Sequence, residues 1–363
     1  MKLKIILCVI VVFLIMIMGC NWYLTRPVLN DRFVKEDEVM IDKLFENEKK
    51  QCIGRFSFEV PISFDNYQLN QVWINDIRIS SKKMYPPAFE QRVRLREQEL
   101  NISSTVREID KPFLKEVHRL NERAVIFDRN ENESVPGFGR ILEGHVYNNG
   151  IAFILEGKIR DLSDEKYKKD KDDYLRSGTL ESELSNKFQR LNEMVSLIKR
   201  LSGRNDTEVP SLSGLCIPFG FIEDDSSEMN EKISLRYDLD DFTVSVNNYN
   251  TSGQDVGLLE RENEISAALE KTDASTLKKG KVVFSDMNGE EWLIKGKQDI
   301  YHPENKTLPY YTFNFYLREK TAGHDLSILS FELHNSGKEN KSYTDDQLIE
   351  IWNRLIRSFS YKK

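Results

Sequence analysis

Leu215-Cys216-Ile217-Pro218-Phe219-Gly220-Phe221-Ile222-Glu223-Asp224 echoes an earlier stretch, Gln51-Cys52-Ile53-Gly54-Arg55-Phe56-Ser57-Phe58-Glu59-Val60. The segments downstream of the two starts are also alike. After the first come strand-like residues from Val72 to Ile79, a helix-like stretch from Pro87 to Leu100, and the apolar run Ala124-Val125-Ile126-Phe127. After the second come Ile233 to Leu239 and Phe242 to Val246, a helix-like stretch from Leu258 to Leu269, and Lys281-Val282-Val283-Phe284. Each copy then runs through further strands and closes on a long amphipathic helix. A solenoid needs at least about three repeats. Two copies predict an α+β fold of two similar tandem domains, each an antiparallel sheet with a helix after its first strands and a long C-terminal helix.

Length agrees with duplication, because the 363 residues exceed the size, about 250–300 residues, at which a single core stops growing. Hydrophobic residues at 39% and charged residues at 31% describe a folded chain with a well-solvated surface. The formal charge is −7, and loss of a leader carrying Lys2 and Lys4 would take it to −9. Such an acidic balance argues against a general binder of nucleic acid.

A basic start, Met1-Lys2-Leu3-Lys4, precedes an unbroken apolar run from Ile5 to Met18, and Gly19-Cys20 comes next. This is the layout of an export signal. Ile17-Met18-Gly19-Cys20 resembles a bacterial lipoprotein box, which implies cleavage before Cys20 and lipidation of its sulfur; Asn21 in place of Asp implies the periplasmic face of the outer membrane. The alternative is a single uncleaved anchor in the inner membrane, since the apolar stretch extended through Leu24 approaches spanning length. The domain plan is then a signal peptide over 1–19, a tether over 20–50, a first domain over 51–203, a linker over 204–214 rich in turn formers, and a second domain over 215–363.

With Cys20 lipidated and Cys8 removed, Cys52 and Cys216 remain at equivalent places in the two copies. An oxidising compartment permits a disulfide between them, and two buried thiols are the alternative. Neither matches a zinc spacing, so no metal site is expected. In the first copy, Leu180, Leu184, Phe188, Leu191, Val195, Ile198 and Leu201 recur at helical steps and predict the closing helix with its core stripe. In the second, Thr344-Asp345-Asp346-Gln347 is a capping box before Leu348, Trp352, Leu355, Ile356 and Phe359.

Charge divides unevenly between the copies. From Asp76 to Arg123 there are 11 basic and 8 acidic residues, including Arg92, Arg94 and Arg96 on the predicted helix. Between Glu223 and Asp241 there are 8 acidic residues, among them Asp224, Asp225, Glu228 and Asp240, against 2 basic ones. These two stretches are candidate docking surfaces. No Gly-x-Ser-x-Gly elbow, His-Glu-x-x-His, phosphate loop or Cys-x-x-Cys occurs, and the five histidines share no spacing with a nucleophile. The pattern predicts neither an enzyme nor a cofactor.

The signal with Gly19-Cys20, the start Cys52-Ile53-Gly54-Arg55-Phe56 and the second start Gly214 to Ile222 together resemble the immunity proteins that accompany type VI secretion lipase effectors of the fourth class. The resemblance covers nearly the whole mature chain. It implies a periplasmic protein, held to the membrane by its N-terminal lipid alone, whose two immunity domains clamp a cognate phospholipase and block the opening of its active site. The acidic Glu223 to Asp241 face and the basic Arg92 to Arg123 face would then be the opposite jaws. The alternative reading is a non-enzymatic envelope lipoprotein with a structural, chaperone or ligand-binding role.

Overall fold

The computed structural model describes residues 35–362, apart from 226–227, 252–255, 285–286, 302–304, 321–322 and 324–325. The export signal, Cys20, His302 and His324 lie outside the described residues. The chain divides into two compact units, the first ending at Glu46 and the second running from Asn47 to Lys363. The first unit's described part centres on helix α1 (Lys35–Leu44). Among the described residues, no helix is long and apolar enough to cross a membrane.

The second unit holds both copies. The first contributes β1 (Glu48–Ile53), β2 (Phe56–Pro61), β3 (Asp65–Ile74), β4 (Ile77–Lys83), helix α2 (Pro86–Ile102), β5 (Leu114–Asn121), β6 (Ala124–Asn130), β7 (Gly139–Asn148), β8 (Ile151–Arg160), helices α3 (Lys168–Arg176) and α4 (Lys187–Arg200), and β9 (Leu201–Gly203). The second contributes β10 (Gly214–Ile217), β11 (Gly220–Glu223), β12 (Glu231–Leu239), β13 (Phe242–Tyr249), α5 (Glu262–Lys271), β14 (Ser275–Phe284), β15 (Met287–Ile300), β16 (Lys306–Leu317), β17 (Ile328–His334), α6 (Asp345–Arg357) and β18 (Ser360–Tyr361). The α+β class and the tandem arrangement are as the sequence predicts.

Twelve of these strands form one antiparallel sheet in the order β14-β15-β16-β17-β13-β12-β3-β4-β8-β7-β6-β5. Read inward from either edge, the order is the same in the two copies, and β3 meets β12 at the middle. Two three-stranded sheets complete the unit, β1-β2-β18 and β10-β11-β9. In each, the opening hairpin of one copy pairs with the closing strand of the other. The copies therefore exchange their first hairpins.

Side-chain packing reflects the exchange. Phe58 of β2 stacks on Phe359 with ring centroids 4.8 Å apart and meets Tyr237 edge-on at 6.2 Å. The Tyr237 hydroxyl donates to Gln51 Oε1 at 3.0 Å, and Ser358 Oγ accepts from the Glu59 amide at 3.1 Å. In the other direction, Arg204 is buried and donates to the Gly220 and Ile217 carbonyls of the second hairpin at 2.9 and 3.1 Å. Gly54 and Cys216 exchange backbone hydrogen bonds of 2.8 Å each way where the hairpins meet. Gly54 sits at φ +52°, and a Cβ there would lie 1.5 Å from Asn248 Oδ1, so glycine is required. The disulfide joins Cys52 to Cys216 at the same point, Cα atoms 5.6 Å apart.

Three local readings meet the structure differently. Val72 to Ile79 is not one strand: Asn75 and Asp76 both take positive φ and turn the chain between β3 and β4, a conformation short polar side chains tolerate. The first copy's closing helix starts at Lys187, which leaves Leu180 before it and 64% exposed, and Phe188 in its first turn is 78% exposed. The run opens on a separate short turn of 3-10 helix, Glu181–Glu183, and only the second half of α4, through Met194, Leu197 and Ile198, reaches the sheet. The capping box at Thr344 forms as expected, with Gln347 Oε1 accepting from the Thr344 amide at 2.8 Å.

Candidate partner interface

Helices cover the two sheet faces unequally. α4, α6 and both hairpins lie on one face, where Trp352 of α6 packs between Phe313 and Phe331 and donates its indole N–H to Glu291 at 2.8 Å. On the other face α2 packs over β6 to β8 through Phe89 and Leu100, and α5 lies beside β14, with Glu262 paired to Lys279 at 2.5 Å. Between these two helices the central strands carry no other helix of this unit among the described residues. There β12 and β13 alternate buried apolar residues with half-exposed polar ones, the pattern of a sheet solvated on one side.

Cross-strand neighbours share a face, so the register fixes what this open surface presents. Tyr249, Lys232, Trp73, Arg78, Glu156 and Glu143 stand in one row across β13, β12, β3, β4, β8 and β7. A second row runs Asn314, Glu332, Ser245, Arg236. Trp73 is 37% exposed in the middle of the first row, beside the boundary between the copies. The surface mixes both charge signs around aromatic rings, which suits a protein partner better than a polyanion.

The first row ends under α2 in a groove of about 610 Å³ lined by Arg78, Arg92, Leu95, Arg96, Glu143 and Glu156 among others. Glu143 is its buried pivot: Arg96 contacts both carboxylate oxygens at 2.8 Å, His145 Nε2 lies 2.8 Å away, and Arg129 reaches it from β6. Burial alone would raise the Glu143 carboxyl, yet hydrogen bonds from Arg96 and His145 and the charge of Arg129 hold it well below the usual carboxylate range. Arg96 is thus committed inward, tying α2 to the sheet. Arg92 and Arg94 are exposed on the helix. Among the described residues, no three His, Cys, Asp or Glu side chains gather to hold a metal ion.

The acidic stretch has a different setting. Asp224 makes a two-pronged contact with Arg55, 2.7 and 2.9 Å, and accepts from Ser213 at 2.6 Å; the bond from Arg55 holds its carboxyl below the ordinary range. Asp225 lies 3.1 Å from Arg200 at the end of α4. Asp240 accepts from the Tyr343 hydroxyl, and Asp241 from the Lys341 amide and Ser342, pinning the loop before α6. Glu223 and Glu228 are exposed. Asp224 and Asp225 belong to the side of the sheet that α4 covers, whereas Arg92 and Arg94 lie on the side of α2. The two charged groups do not confront each other across one cleft, because the acids at Asp224 and Asp225 bind arginines of the first copy and serve as ties between copies.

Glu231 extends this network. It is 1% exposed, its nearest cation is Arg55 at 3.8 Å, and burial pushes its carboxyl up to about 7. An acid whose folded value lies above its unfolded value of 4.5 costs stability as pH rises between the two. The native state is expected to lose about 1–3 kcal/mol from pH 4.5 to above pH 7 through this group. Urea unfolding at pH 5 and pH 8 checks it: Glu231→Gln should flatten the difference, and a variant that keeps the full difference would assign the dependence elsewhere.

A family model described as the N-terminal domain of Tle cognate immunity protein 4 matches residues 49–204, and one described as its C-terminal domain matches residues 208–363. The chain belongs to this family. The Tle cognate immunity fold also appears in the apo structure of immunity protein TplEi of T6SS from Pseudomonas aeruginosa, 19% identical, with a TM-score of 0.69 over 89% of this chain and 99% of that one. The crystal structure of the Tle4–Tli4 complex matches at 17% identity and a TM-score of 0.67, over 87% and 98% of the two chains. TplEi bound to an "L" peptide matches at 18% identity, with a TM-score of 0.63. No curated protein matches the sequence. Composition marked the charged segments of this immunity fold but not Trp73, whose signal is only the alternation of Val72, Trp73 and Ile74.

Proposed function

We propose that this chain is an immunity protein of the type VI secretion system that binds and inhibits a cognate phospholipase, working in the periplasm from a lipid on Cys20. Family membership across both domains supports the immunity role, and the solved complex of Tle4 with Tli4 supports a lipase effector as the partner. The observation that carries the placement of the interface is the uncovered sheet face, which crosses from one copy to the other at β3 and β12 between α2 and α5. A partner element laid across that face is held by both domains at once, which is how a clamp would restrain a moving lid without any chemistry of its own.

Trp73 is the expected anchor, a large ring in a polar surround at the centre of the surface. Trp73→Ala should weaken binding to the lipase encoded beside this gene by about thirtyfold or more, and Lys232→Glu should mainly slow association and change its salt dependence. Surface plasmon resonance with the purified pair reads both. Wild-type affinity in Trp73→Ala would move the interface off this face, and undiminished lipase activity with excess wild-type chain would remove the immunity reading itself.

A further inference from the structure

The sheet is nearly split inside the first copy, one strand away from the β3–β12 junction of the copies. β3 pairs with β12 over seven residue pairs, from Glu231–Ile74 to Asp238–Asp65, and β4 pairs with β8 over seven, from Ile77–Gly157 to Lys83–Ile151. Between β3 and β4 themselves there are two pairs, Trp73–Arg78 and Ile74–Ile77, both next to the turn. The equivalent strands of the second copy, β12 and β13, close along eight pairs. The repeat thus shows the zipped form of this hairpin, and the first copy departs from it. Beyond the turn, the facing edges of β3 up to Val72 and of β4 from Ile79 to Lys83 have no strand between them among the described residues.

The opening is a groove of about 470 Å³ lined by five successive residues of β4, Ile79 to Lys83, with Asn70 and Val72 of β3. Contact with consecutive residues, not alternate ones, means that the groove runs along a strand edge and not over a sheet face. Its floor is the turn Ile217-Pro218-Phe219 of the exchanged hairpin, fixed to β4 by the Ser81 hydroxyl donating to the Pro218 carbonyl at 2.6 Å. Val72, Ile79 and Ile217 are apolar and buried beside it. Lys82 and Lys83 are exposed at its mouth, Lys83 over the Phe219 ring at 5.4 Å, and Lys82 has no ion pair among the described residues.

We propose that this gap takes an extended segment of the partner protein, about five residues long, which adds as a strand between β3 and β4. Unpaired amides and carbonyls supply the hydrogen bonds of strand addition, and the pockets beside them choose the side chains. The floor, on the face of Ile79, Ser81 and Lys83, takes an apolar side chain and Lys82, on the opposite face, takes an acidic one, so the segment alternates apolar and acidic residues. This deepens the immunity reading and rests on it for the partner's identity. The gap lies one strand from the boundary between the copies, on the other side of β3 and close to Trp73, so an inserted strand and the open-face contact restrain the same partner together.

Amide hydrogen exchange tests it, on the full chain alone and saturated with the lipase encoded beside its gene. Insertion predicts at least tenfold slower exchange in the complex at Gln71, Val72 and Ile79 to Lys83, and about tenfold weaker binding in Lys82→Glu/Lys83→Glu. A lipase that binds while these amides exchange as in the free chain overturns strand addition and leaves the immunity reading standing. Absence of lipase binding ends both. Protection already present in the free chain overturns the proposal too: lost on removal of residues 1–46 it assigns the gap to the chain's own leading segment, and growing with protein concentration it assigns the gap to a second copy.

Discussion

Replacing Cys52 and Cys216 together by alanine should lower the free energy of unfolding by about 5 kcal/mol, the entropy released when a loop of this length is no longer closed. The bridge spans 164 positions, nearly half the chain, so few single links could restrict the unfolded ensemble more. The folded state loses little in exchange. The Gly54–Cys216 backbone bonds stay, and both sulfurs sit in a small apolar cluster with Phe221 that alanine leaves slightly underfilled. The effect is therefore carried by the unfolded chain and should appear as a shift in urea midpoint for the oxidised wild type against the variant, with reduced wild type behaving like the variant. A difference under 1 kcal/mol would show that the sheets alone hold the copies in register.

How much of this is legible in the sequence depends on the range of each interaction. Alternation in Phe56-Ser57-Phe58-Glu59-Val60 says that one side of the strand is buried, and it is. It does not say against what, and the answer, Phe359 and Tyr237, lies in the other copy. The duplication is legible because it is local and repeated; the exchange of hairpins is not, because β2 pairs with β18, Ser57 lying 303 positions from Ser360, and a pairing at that distance leaves no trace in either segment. The same reason separates Asp224 from its reading as a jaw. A run of carboxylates looks like an exposed field until Arg55, 169 residues earlier, is seen to occupy it. Asn75-Asp76 is a local signal that the alternation around it masks: as a turn pair it divides β3 from β4 and so sets the mouth of the gap between them. Trp73 carries no signal of its own, since its exposure depends on where α2 and α5 of the same unit lie over the sheet.

Residues 47–204 and 205–363, expressed apart, should each fail to give a cooperative unfolding transition and should recover one when mixed. The first fragment keeps the β1–β2 hairpin but loses the surface that buries it. Ile53, Phe56, Phe58 and Val60 are all buried in the whole chain, Phe56 against Tyr361 and Phe58 against Phe359 and Tyr237. Returning four such side chains to water costs about 6–12 kcal/mol at 1.5–3 kcal/mol each, as much as the whole stability of an ordinary domain, about 5–15 kcal/mol. The fragment also lacks the β10–β11 hairpin, so β9 loses its strand partner and Arg204 its carbonyl acceptors. The second fragment faces the mirror image of both losses, with β18 unpaired and the ring of Phe359 uncovered. Circular dichroism melts of each fragment and of their equimolar mixture, with gel filtration to count the product, measure the effect. If 47–204 alone melts cooperatively near the midpoint of the full chain, the exchanged hairpins are decoration on two independent domains. If only the mixture does, the chain is one cooperative unit written as two copies, and any partner that grips one domain is also gripping the other.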